Sequence, residues 1–247
     1  PPTRRSSDLT EFLIIGSSNT HHKMDNTLEL SVGNSKITPA ESARNLGVIF
    51  DKQMNMESQV TNICKSANFH LRNIGSIRQV LSESSAAQLV HALISSRLDY
   101  CNSLLNGIPD SQIKRLQKVQ NNAARIVCRI RKYDHITPTL QSLHWLPIKS
   151  RIQFKTLLLT YQSLHGRSPS YLSDLLVQHV PTRSLRSANK HLLTVPKSNS
   201  KQFGDRCFSV VAPKAWNALP NDIKTCSTVD TFKQKLKTHL FKQAYGQ

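Results

Sequence analysis

The chain has 247 residues, enough for one large domain or two small ones, and 38% of them are apolar, so a folded core is expected alongside exposed stretches. Lys and Arg total 33 against 15 Asp and Glu, a formal net charge of +18, an excess that repels itself unless an anionic partner neutralises it. No apolar run approaches the roughly 20 residues that cross a bilayer, and no apolar segment of signal-peptide type follows the basic start. The five cysteines, Cys64, Cys101, Cys128, Cys207 and Cys226, are widely spaced with no CxxC pair, which excludes the usual zinc-site spacing and fits reduced thiols.

Residues 1–9 read as foreign. Thr3 to Leu9, TRRSSDL, back-translates to one frame of a common sequencing-library adapter, and the segment is set aside from fold reasoning. Phe12-Leu13-Ile14-Ile15 is a short apolar run ended by Gly16 and predicts a buried strand. Leu28 to Val32 alternates and meets Gly33-Asn34, a hairpin signal, with Lys36-Ile37-Thr38 as the return strand. Asn45-Leu46-Gly47-Val48-Ile49-Phe50 predicts a further strand. From Met54 the period becomes helical: Val60, Ile63, Ala67, Leu71, Ile74 and Ile77 recur at three and four residues. Ser82 is placed to cap a second helix, with Leu81 as a staple, whose core face is Ala86, Leu89, Val90, Leu93 and Leu98 and which ends at Gly107 and Pro109.

A third helix is predicted from about Ser111 to Arg131. At about 100° per residue, Lys114, Lys118, Asn121, Arg125, Arg129 and Lys132 fall within a sector of roughly 80°. Ile113, Leu116, Val119, Ala123, Ile126, Val127 and Ile130 lie opposite, and no acid occurs between Ser111 and Tyr133. One face builds a core; the other is a cationic row. Phosphates recur regularly along a strand, so such a row can follow a nucleic-acid backbone without reading bases. Asn121 and Asn122 add neutral donors, and Arg125 and Arg129 can fork onto phosphate oxygens. The plain alternative is a solvated helix face.

Thr137-Pro138 predicts a cap with proline in the first turn of a short helix running toward Trp145. Pro147 restarts the chain into a helix through Leu164, closed by Gly166, and Pro169 begins another short one. Residues 181–206 are polar and basic, with Leu192 to Val195 and Phe208 to Val211 as candidate strands and Trp216 as a core anchor. Ser227 with Asp230 resembles a capping box before a last helix whose apolar face is Val229, Phe232, Leu236 and Leu240. The internal boundary is placed between Tyr133 and Pro138.

Catalytic patterns are missing. Two-metal phosphoryl transfer needs carboxylates converging on ions about 4 Å apart. The acids here are scattered, with only Asp174, Asp205, Asp222 and Asp230 after residue 134, and there is no Walker loop, GxSxG or HExxH. Asp134-His135 reads as a loop pair, His144-Trp145 as an aromatic corner closed by Pro147, and His21-His22 as part of a polar loop.

Several strings add a resemblance to this reading. Thr10-Glu11-Phe12-Leu13-Ile14-Ile15-Gly16 resembles the end of the palm in LINE-type (non-LTR) retrotransposon reverse transcriptases, and Arg44-Asn45-Leu46-Gly47-Val48-Ile49-Phe50-Asp51 the primer-grip segment that follows it. Residues 95–102 (SSRLDYCN), 116–125 (LQKVQNNAAR), 143–147 (LHWLP), 183–187 (RSLRS) and 216–220 (WNALP) resemble the region after the polymerase core in jockey-like and chicken-repeat-like elements. The likeness spans nearly everything from Thr10 to Tyr245. It implies a mainly α fold with a small β portion: a palm-end β remnant over residues 10–52, a three-helix thumb-like bundle over 53–133, and a mixed, mostly helical basic domain over 134–247. It also implies a fragment of an RNA-directed DNA polymerase that lacks the catalytic Asp pair, is no enzyme on its own, and holds template–primer RNA–DNA through its backbone. Leu46 and Gly47 would then be primer-grip-like residues. No cofactor is implied for the fragment, Mg belonging to the missing palm site. The implied partners are RNA, RNA–DNA duplex and the missing N-terminal part of the same polyprotein, with no membrane. The implied setting is intracellular, a ribonucleoprotein in nucleus and cytoplasm. The competing expectation is a domesticated, stand-alone nucleic-acid-binding or interaction protein.

Overall fold

Hairpins open the chain and helices make up the rest of it. The computed structural model describes residues 11–17, 28–33, 35–180, 191–200 and 203–246, so the adapter-like start, His21-His22, and the Arg183 to Ser187 string lie outside the described residues. Strands β1 (Leu30–Val32) and β2 (Ser35–Ile37) pair antiparallel, Leu30 opposite Ile37, as the Gly33-Asn34 signal predicts. Strands β3 (Ser42–Asn45) and β4 (Val48–Asp51) form a second hairpin, with Asn45 opposite Val48. The expected single strand over Asn45 to Phe50 is thus corrected: Leu46 and Gly47 form its two-residue turn, with φ of 47° and 82°. Two successive positive φ values are what a hairpin loop of this length needs to match strand twist.

Phe12 to Ile15 is not a buried strand. Phe12 makes one parallel bridge to Pro39, and Pro39 lacks the N–H that would carry a ladder further. Ile15 is exposed. Asp51 turns the chain out of β4: its carboxylate accepts the N–H groups of Gln53, Asn55 and Met56 at 3.2, 2.9 and 2.7 Å.

Helix α1 (Glu57–Ser76) buries Val60, Ile63, Ala67, Leu71 and Ile74, while Ile77 lies beyond its end and is exposed. Ser82 caps α2 (Glu83–Val90), its hydroxyl accepting the Ser85 N–H at 3.0 Å. A π turn (His91–Ser95) carries α2 on into α3 (Ser96–Asp99). The expected continuation to Gly107 is replaced by a break at Tyr100 and a 3-10 turn (Asn102–Leu105). Helix α4 (Asp110–Cys128) stops short of the expected Arg131, because Arg129 takes a left-handed conformation at its end.

Then come α5 (Thr137–Ser142), α6 (Ile148–Leu164) and α7 (Ser170–Ser173), followed by α8 (Phe208–Asn217), α9 (Asn221–Lys224) and α10 (Val229–Tyr245). Thr137 is already helical and Ile136 occupies the cap position. Phe208 to Val211 is helical rather than extended: Val210, Ala212 and Trp216 all reach the core from α8, which tertiary burial favours over β-branched propensity. Leu193 makes only an isolated bridge with Gln178. Thr228, not Ser227, caps α10 by accepting the Thr231 N–H at 3.2 Å. Replacing Thr228 by Ala is expected to cost about 1 kcal/mol in chemical denaturation, with no change from Ser227→Ala.

Two apolar clusters follow. The first joins Val60, Ala67 and Leu71 of α1 to Leu116, Val119, Ala123 and Val127 of α4, with Val90, Ile94, Trp145, Ile148 and Ile152. The second gathers Leu157 and Tyr161 of α6 with Trp216, Phe232, Leu236 and Leu240. The change from one cluster to the other therefore falls within α6. Tyr161 stacks on Phe232 at 4.2 Å and donates to the Cys226 carbonyl at 2.7 Å. The C-terminal helix is tied back where the Tyr245 hydroxyl donates to the Trp145 carbonyl at 2.7 Å. Burial pushes that phenol up to about 12, so it remains a neutral donor. Arg206 donates to the Asn106 and Met54 carbonyls at 3.0 and 2.6 Å and so joins the C-terminal half to the start of α1.

Candidate nucleic-acid interface

Helices α1 and α4 lie side by side and run in the same direction. Arg115 near the start of α4 donates to the Thr61 hydroxyl at 2.9 Å. Further along, Gly75 faces Ile126, and Arg78 reaches the Ile126 and Val127 carbonyls. Between the two helices runs an open groove of about 620 Å³. One wall is Lys65, Asn68 and Arg72 of α1; the other is Asn122 and Arg125 of α4, with Lys132 at the far end and Leu71, Ile126 and Ile130 also lining it. No carboxylate lines it.

The expected cationic row meets this groove unevenly. Lys114 and Lys118 are exposed on α4. Asn121 is half-buried, and its amide oxygen accepts from Gln117 at 2.8 Å. Gln117 in turn accepts the Ile148 N–H at 2.9 Å, so Asn121 belongs to an amide relay holding α4 to α6 rather than to a free row of donors. Arg125 lines the groove, yet its guanidinium donates to the Arg131 and Asp134 carbonyls at 3.3 and 3.1 Å.

Arg129 departs from the row altogether. It sits past the helix end with φ of 53°, and its Nη2 donates to the carbonyls of Arg78, Gln79 and Leu81 at 3.0, 3.2 and 3.3 Å. Lys132 is exposed beside the Tyr133 ring, 5.4 Å from its centroid. Ideal helix geometry, continued past Cys128, placed Arg129 and Lys132 on a cylinder that the chain has already left.

Charge remains uncompensated all the same. Among the described residues the ion pairs are Lys36–Glu29, Lys52–Glu41, Arg151–Asp99, Lys214–Asp205 and Lys233–Asp230, and none touches the groove. Hydrogen bonds to carbonyls orient Arg125 and Arg129 but leave their positive charge in place. Glu57 and Asp110, the acids of α1 and α4, sit in the first turns, where they complement the helix dipoles.

The second wall was readable beforehand. Lys65, Asn68 and Arg72 are spaced i, i+3, i+7, and no acid lies between Glu57 and Glu83. Only pairing the two helices turns these separate faces into one channel.

Leu46 and Gly47 are not in the groove. They form the β3–β4 turn, where the Leu46 carbonyl accepts the Tyr100 hydroxyl at 2.6 Å. The Leu46 side chain is 83% exposed in a left-handed conformation that disfavours a branched side chain. Leu46→Asn installs the favoured Asn-Gly turn, and thermal unfolding should show a gain of about 0.5–1 kcal/mol. If the strained leucine serves contact with a bound duplex, duplex affinity falls in the same variant.

No helix among the described residues is long and apolar enough to cross a membrane, and no group of three or more His, Cys, Asp or Glu among them can hold a metal ion. Comparison of the chain with protein families, with curated proteins and with solved structures returns no match.

Proposed function

We propose that this chain holds the backbone of an RNA–DNA duplex in the groove between α1 and α4, as the thumb-like part of a LINE-type reverse transcriptase. It acts without a catalytic centre of its own. The observation that carries the reading is the groove itself: two adjacent helices, each free of acid beyond its first turn, bring Lys65 and Arg72 alongside Arg125 and Lys132. Lys114 and Lys118 extend the positive surface along α4. Residues one helical turn apart lie about 6 Å apart along the axis, a spacing that lets successive cations meet successive phosphates.

Contact of this kind is driven by charge and duplex shape, not by base identity. Fluorescence anisotropy with a labelled RNA–DNA duplex tests it. Affinity should fall steeply between about 50 and 200 mM salt, and duplexes of unrelated sequence should compete equally. A salt-independent affinity, or strict preference for one sequence, overturns the reading.

A further inference from the structure

A second cavity lies away from the groove, where α6, α10 and the π turn meet. It holds about 410 Å³, within the range of about 300–1,000 Å³ typical of small-molecule sites. Trp145, Leu146, Phe154 and Leu158 give it an apolar, partly aromatic lining. The His91 ring stands edge-on to Trp145, with ring centroids 5.5 Å apart. Lys155 from α6 and Lys237 from α10 line it as well, and both are exposed.

The polar groups are unevenly matched. Asp99 is the only acid lining the cavity, and it is occupied by Arg151, whose Nε donates to Oδ1 at 2.8 Å and whose Nη2 pairs with Oδ2. Lys155 and Lys237 therefore have no free carboxylate among the lining residues. Asn102, also lining the cavity and only 3% exposed, donates weakly to Asp99 at 3.4 Å, while its Oδ1 accepts no hydrogen bond. A buried acceptor without a donor is costly and calls for one.

We propose that this cavity binds a nucleotide: a phosphorylated aromatic heterocycle. Its ring lies against Trp145, Phe154 and Leu158, its phosphate meets Lys155 and Lys237, and a base N–H supplies the donor that Asn102 lacks. Cations alone would take any anion, and the apolar wall alone any flat ring. The two together with an unfilled acceptor favour a ligand that is anionic at one end and a hydrogen-bond donor at the other. Such a group comes either as a free mononucleotide or as the phosphorylated end of a strand. The site shares no residue with the α1–α4 groove.

Calorimetric titration of the full chain with AMP, adenosine and inorganic phosphate tests the site. AMP should saturate, with adenosine and phosphate each at least about tenfold weaker. The exposed pair K155Q/K237Q should weaken AMP at least about tenfold with an unchanged circular dichroism spectrum. Phe154→Ala should weaken AMP while leaving phosphate binding unchanged. No saturation by AMP below about 10 mM overturns the proposal, as does phosphate binding equal to that of AMP, or full AMP affinity in K155Q/K237Q. Competition by a 5′-phosphorylated trinucleotide, but not by its unphosphorylated form, identifies a strand end as the source. Lack of competition beside tight AMP binding identifies the free nucleotide, and both results support the site. K155Q/K237Q should keep the salt dependence measured with an unphosphorylated duplex, so the cavity and the groove can fail separately.

Discussion

Replacing Lys65, Arg72, Lys118 and Lys132 together by Gln is expected to lower RNA–DNA affinity on the order of 10²- to 10³-fold near physiological salt, and to flatten the logarithmic salt slope by about three. Each cation that neutralises a phosphate contributes somewhat less than one unit to that slope, because binding releases the counterion it replaces. The four are exposed, and none enters an ion pair among the described residues. Their removal should therefore leave the fold intact. Arg125→Gln and Arg129→Gln make the useful contrast. Both guanidiniums hold backbone carbonyls around the end of α4, so these variants should lower stability as well as affinity. Unchanged affinity and slope in the quadruple variant, with native circular dichroism, would mean that the groove is an ordinary solvated surface.

The helices and their buried faces were legible because burial on one side repeats at the helical period. Val60, Ala67 and Leu71, and Leu116, Val119 and Ala123, are core residues as their spacing requires. Trp216 and the Phe232, Leu236, Leu240 stripe followed the same logic. Failures came where a residue does something its type discourages. Leu46 occupies a turn position that usually carries Asn, so the β3–β4 hairpin read as one strand. Arg129 ends a helix in the left-handed conformation that usually belongs to Gly, so the cationic row was extended one turn too far. At α8, Val210 and Val211 suggested a strand, and Pro213 inside the helix gave no help. The groove was half legible. Its α4 wall was visible as an acid-free face, whereas its existence depends on which helix lies beside α4, and spacing along one helix carries no such information.

Arg78 is the residue on which that pairing of helices most depends, and Arg78→Ala is expected to destabilise the chain by about 3–4 kcal/mol in chemical denaturation. Only 9% of Arg78 is exposed, and no carboxylate pairs with it among the described residues. Instead, Nε donates to the Ile126 carbonyl, Nη1 to that of Leu81 and Nη2 to that of Val127, each at 2.7 Å. The final carbonyls of a helix have no partner within it. One planar guanidinium thus satisfies two at the end of α4 and a third ahead of α2, fastening the end of α1 to both. Truncation leaves three acceptors buried together. Arg78→Lys should recover little, because an ammonium on a flexible stem cannot reproduce the planar fork. Because the same contacts hold the far end of the groove closed, Arg78→Ala should also lower duplex affinity at temperatures where the chain remains folded, without removing any groove-lining cation. Wild-type stability in Arg78→Ala would show that packing between α1 and α4 alone sets their alignment.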